Sequence, residues 1–142
     1  MKDKVVDANN TEEDLKLTTN AVELIVNNES TAKNSIVQIV SVKVVSRAVM
    51  NLPDRYRVVI SDGCNYVQGM IADDLTHHVL SGYLVRNCTV KVVNYVTEFV
   101  NGNPLVIILD LEIKKKLNHR VGSPKEYILN DRKPAGPQNS TN

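Results

Sequence analysis

Arg55-Tyr56-Arg57-Val58-Val59-Ile60-Ser61-Asp62-Gly63 reads as a strand running into a tight turn. Valine, isoleucine and tyrosine favour extended backbone, and Asp-Gly is a turn signal. Strand side chains alternate between faces, so Tyr56, Val58 and Ile60 point one way and Arg55, Arg57 and Val59 the other. The first set can enter a core. The second offers two guanidiniums roughly 6–7 Å apart along the strand. Arginine keeps its proton and cannot serve as a base, so the pair points to recognition of carboxylates or phosphates and away from catalysis.

Working outward, Ile36–Val45 reads as a first strand and Arg47–Asp54, with Pro53, as a loop. Arg55–Ser61 is the second strand. Asn65–Ala72 is the third, with Gly69 marking a bulge or bend. Asp73–Leu80 reads as a short helix, capped by Asp73 or Asp74 and stopped by Gly82. Thr89–Val100 and Leu105–Ile113 form strands four and five around an Asn101-Gly102 hairpin turn. Ahead of them, Thr18–Val26 reads as a two-turn helix with Asn20 and Glu23 as a capping pair. It is too short to stand alone and is expected to plug an end of the sheet. Three strands, a helix and two strands predict a mainly β fold: a five-stranded Greek-key barrel of OB-fold type with short capping helices.

Composition narrows the function. The 142 residues suffice for one domain with a core. Residues 1–30 hold three basic and seven acidic groups, whereas 31–116 hold ten basic and seven acidic. Residues 1–17 are therefore expected to be a disordered acidic leader, 18–128 the barrel domain, and 129–142, with Pro134, Gly136 and Pro137, a flexible tail. A chain stopping in linker is expected to be a piece of something longer or a short paralogue. Met1–Ser30 lacks the apolar run of a signal peptide and no window reaches a membrane span, so Cys64 and Cys88 are expected to be reduced thiols. The glycosylation-like triplets at Asn9, Asn28, Asn87 and Asn139 then reflect an Asn-rich chain. With five Tyr, one Phe and no Trp, strong stacking of single-stranded bases is not expected.

The ordered pieces also resemble a known family. They are Ile36-Val37-Gln38-Ile39, Arg55-Tyr56-Arg57, Ser61-Asp62-Gly63, Met70-Ile71-Ala72 ahead of Leu75, and Asn87-Cys88. Val106-Ile107-Ile108-Leu109 with Leu111-Glu112, then Val121-Gly122-Ser123-Pro124 with Tyr127, complete the series. In order and spacing these resemble the N-terminal domain of the replication protein A large subunit. The resemblance implies a nuclear, non-enzymatic OB-fold of the single-strand DNA-binding complex. Such a domain recruits acidic amphipathic segments of replication, repair and checkpoint proteins and binds DNA weakly. Contacts to the other replication protein A subunits would run through regions outside this chain. No cofactor is implied.

Carried over by position, the resemblance implies Lys43, Arg55 and Arg57 as basic groove residues and Met70, Phe99, Leu105 and Ile107 as an apolar floor. Three positions depart from the family pattern. Asn103 stands where Arg is usual, Val100 where Lys is, and Asp73 where Thr is, so the groove is expected to be less positive. Read from the residues alone, Arg55 and Arg57 could be a solvated strand face, and Phe99 either a core residue or an exposed anchor. A direct single-strand nucleic-acid binder, with Tyr56 and Tyr66 as candidate stackers, is the alternative function. Lys114-Lys115-Lys116 reads as a solvated basic turn. His77 and His78 do not face each other on a helix and lack companion ligands, so no metal site is expected. No phosphate-cradling glycine loop or nucleophile elbow is present, and no catalytic residue is expected.

Overall fold

The computed structural model describes residues 16–46 and 54–129. The leader before residue 16, the loop over 47–53 and the tail from residue 130 lie outside the described residues.

Branched aliphatic residues build the strands. They are β1 (Ser35–Val45), β2 (Arg55–Ser61), β3 (Asn65–Ile71), β4 (Cys88–Val100), β5 (Asn103–Lys116) and a two-residue β6 (Lys125–Glu126). The spatial order is β2-β1-β4-β5-β3, and a further β2–β3 pairing closes the sheet on itself. Every neighbouring pair in the ring is antiparallel except β3–β5. This is the closed five-stranded Greek-key barrel of an OB-fold. In β2 the alternation is as the sequence implies: Val58 and Ile60 are fully buried, Arg57 is exposed, and Tyr56 packs half-buried against the core.

Helix α1 (Ala21–Val26) buries Ala21, Val22, Ile25 and Val26 against the barrel. Each buried Val or Ile side chain contributes about 1.5–3 kcal/mol, which holds a helix too short to persist alone. The Asn20/Glu23 cap is not formed. Asn20 sits in the left-handed region (φ 58°) and makes no side-chain cap. The N-terminus is capped from the β2–β3 turn instead: the Val22 N–H donates to Asp62 Oδ2 at 3.0 Å. Asp62 Oδ1 accepts from the Cys64 and Asn65 amides at 2.9 and 2.8 Å. One carboxylate thus shapes the turn and anchors the helix. At its C-terminus, Asn28 (φ 56°) takes the left-handed position, with Asn28 N–H bonded to the Ile25 carbonyl and Glu29 N–H to that of Leu24. Asn34, Asn87 and Asn101 are also left-handed, a conformation that asparagine tolerates better than most residues.

Between β3 and β4, a 3₁₀ turn (Asp73–Leu75) leads into α2 (Thr76–Leu80). The N-cap positions are Ala72 and Leu75, neither of which makes a side-chain cap, and Asp73 and Asp74 fall in the first turn. Gly82 (φ 81°) stops it, its N–H bonding the Val79 carbonyl while Tyr83 N–H bonds that of His78. Gly69 marks no bulge, since β3 pairs in continuous register on both sides. It is a close approach: a Cβ there would lie 2.7 Å from both Ile60 Cδ1 and the Val106 carbonyl oxygen. Lys114, Lys115 and Lys116 do not form a turn. They continue β5, with Lys115 opposite Thr89 and Lys116 opposite Cys88.

Two contacts seal the barrel after β5. Buried Gln38 donates through Nε2 to the Asn87 and His119 carbonyls and accepts the Val121 N–H at 2.8 Å, so every polar atom it carries is engaged. Strand β6 then adds to β3 in parallel, Lys125 beside Asn65 and Glu126 beside Tyr66.

Candidate functional site

Residues paired directly across neighbouring strands present their side chains on the same face. Lys43 pairs with Arg57, Arg57 with Met70, Met70 with Ile107, and Ile107 with Val96. One transverse row on the outer wall therefore runs cation, cation, thioether, aliphatic, aliphatic across five strands. None of its five side chains is buried. At about 4.8 Å per strand spacing the row spans roughly 19 Å, enough to receive a helix of about 10–12 Å diameter.

The row borders a concavity. Ser41, Lys43, Arg57, Val59 and Gln68 line a depression of about 180 Å³. A second depression of about 130 Å³ is lined by Val67, Gln68, Asn103, Pro104, Glu126 and Tyr127. Gln68, on the exposed side of β3, lines both, so the two depressions flank one side chain and together make up the candidate trough.

The arginines differ. Arg57 is exposed, and no ion pair engages it among the described residues. Arg55 is drawn to Asp73, its Nε 3.7 Å from Oδ1, and that Nε is buried without a hydrogen-bond partner. That separation is an ion pair too long to be a hydrogen bond. Asp73 thus offsets the positive field at this end of the wall.

Of the sequence-derived floor, Met70 and Ile107 stand in the row, and Leu105, two residues from Ile107, shares its face. Phe99 does not. It pairs with Pro104, and Thr97 on the same face donates its hydroxyl to the Ile25 carbonyl of α1. Phe99 is half-exposed on the helix side of the hairpin, across the strand from Leu105 and Ile107. Val96 takes its place on the groove face. A two-residue Asn-Gly turn pairs 100 with 103, and counting outward places 96 opposite 107, so the sequence held this signal. Gln68 and Glu126 are also absent from the sequence-derived site. Glu126 reaches it through β6, an element without any periodic signature.

Comparison with known proteins agrees with this architecture. The model of the family "Replication factor-A protein 1, N-terminal domain" matches residues 17–116. The chain is 28% identical over 110 residues to one of the replication protein A 70 kDa DNA-binding subunits of Arabidopsis thaliana, covering 78% of this chain and 17% of the relative. It is 29% identical over 116 residues to the Mus musculus replication protein A 70 kDa DNA-binding subunit, covering 78% and 18%. Against replication factor A protein 1 of Schizosaccharomyces pombe it is 31% identical over 94 residues, covering 64% and 15%. The chain thus spans less than a fifth of these relatives' length. On the match over 17–116, which takes in the whole barrel, the chain belongs to the replication factor-A protein 1 N-terminal domain family.

Proposed function

We propose that this domain is a non-enzymatic recruitment module that binds acidic amphipathic segments of proteins acting in DNA replication, repair or damage signalling. The trough between the β1–β2 wall and the β4–β5 hairpin would be the site. The observation that carries this reading is the Lys43-Arg57-Met70-Ile107-Val96 row. Cations meet carboxylates while the thioether and aliphatic residues receive the apolar stripe of a helix. Relatives named as DNA-binding subunits support a place in DNA metabolism, and with it a nuclear location and weak contact with single-stranded DNA. Stacking residues are sparse on this wall: Tyr66 lies on the outer side of β3, whereas Tyr56 packs against the core. Tight oligonucleotide binding is therefore not expected.

The test is fluorescence anisotropy with a labelled amphipathic peptide of acidic flanks and with a labelled oligonucleotide. The peptide should bind, more weakly as salt rises, and Lys43→Glu with Arg57→Glu should lower its affinity at least about tenfold. Micromolar or tighter oligonucleotide binding at physiological salt, unaffected by the peptide, would reassign the domain as a direct nucleic-acid binder.

A further inference from the structure

The trough carries opposite charge on its two sides. On the β1–β2 side stand Lys43 and Arg57, both exposed. On the other side the outward positions of the hairpin are Val96, Glu98 and Val100 on β4, paired with Ile107, Leu105 and Asn103 on β5. Glu126 of β6 lies beside Tyr66 and lines the second depression with Asn103. Glu98 and Glu126 are exposed, and neither is in an ion pair among the described residues. Among the described residues, no Lys or Arg lines the second depression. The uncharged β3 residues Gln68 and Met70 separate the two sides.

We infer that the trough selects a charge-split partner: an amphipathic helical segment with carboxylates along one edge of its apolar stripe and Lys or Arg along the other. This rests on the groove reading above and specifies its occupant. The argument is charge complementarity. A helix laid along the trough with its apolar stripe on Met70, Leu105 and Ile107 must turn one flank to Lys43 and Arg57 and the other to Glu98 and Glu126. A uniformly acidic helix gains on the first side and is repelled on the second. A split helix gains on both, and the arrangement fixes which edge faces which wall, hence the direction in which the helix lies.

Two synthetic helical peptides with the same apolar stripe test this by anisotropy at low and physiological salt. One carries Glu on both flanks; the other carries Glu on one flank and Lys on the other. The native domain should bind the split peptide about threefold or more tightly than the all-acidic one, two exposed ion pairs replacing two repulsions. The E98K/E126K double variant should invert that order. Both substitutions are at exposed positions, and circular dichroism verifies that the fold is retained. If both peptides bind and the native domain prefers the all-acidic one, or if the double variant leaves the preference unchanged, the polarity assignment is wrong and the groove reading stands. If neither peptide binds, the groove reading falls and this inference with it.

Discussion

Asp62→Ala should destabilise the domain far more than an ordinary turn substitution. The carboxylate accepts three backbone N–H groups, from Val22, Cys64 and Asn65, at 3.0, 2.9 and 2.8 Å. Val22 is fully buried, so its amide would be left without a partner, at a cost of about 1–3 kcal/mol. The two turn amides lie nearer the surface, where water can replace the carboxylate, and each should cost about 0.5–1 kcal/mol. The total is roughly 2–5 kcal/mol, a large part of the ~5–15 kcal/mol that holds a typical domain. Because the chain lacks tryptophan, far-UV circular dichroism in urea is the suitable assay. With a slope of ~2 kcal/mol per M, the midpoint should fall by about 1–2.5 M. Asp62→Asn keeps one oxygen acceptor but turns an N–H₂ toward a donor, so it should fall between the native domain and the alanine variant. A loss below about 0.5 kcal/mol for alanine would refute the claim that this side chain ties α1 to the β2–β3 turn.

Other outcomes follow from neighbouring features. Gly122→Ala should cost about 2 kcal/mol or more in the same melts, because the residue sits at φ 71° and an added Cβ would run into the Gly63 backbone. Reaction with a thiol reagent at pH 8 should label exposed Cys64 and spare Cys88, whose thiol is buried and pushed up in pKa by that burial; one equivalent released natively and two in denaturant is the expected count. In peptide titrations Arg57→Glu should weaken binding more than Arg55→Glu, since Asp73 already offsets Arg55, and Asp73→Ala should strengthen binding by up to about fivefold. Equal effects of the two arginine reversals would show that the Arg55–Asp73 pair does not shape the groove.

Much of the fold is legible in the sequence because its signals are local. Valine and isoleucine alternation locates β1 to β5, and Asn101-Gly102 marks the hairpin turn. What escapes depends on contacts between distant parts of the chain. β6 has two residues and exists because Asn65 and Tyr66 offer an edge to pair with. Asp62 looks like a turn residue in sequence, yet it caps a helix 40 positions earlier. Gly69 is explained by Ile60 and Val106, which only the closed barrel brings beside it. Of the groove, Arg57 is legible from strand alternation, Lys43, Met70 and Ile107 come from family resemblance, and the strand register unites them in one row. Position alone puts Phe99 on the floor, whereas the pairing of the hairpin turns it to the other face.

The groove itself can be mapped directly by titrating the ¹⁵N-labelled domain with an unlabelled acidic amphipathic peptide and following amide shifts residue by residue. The largest changes should fall together on Lys43, Arg57, Gln68, Met70, Ile107 and Val96, with the far side of the barrel around Lys91 and Glu112 silent. Shifts concentrated there or on α2, or none at a peptide concentration approaching the millimolar range, would contradict the assignment of this trough as the binding surface.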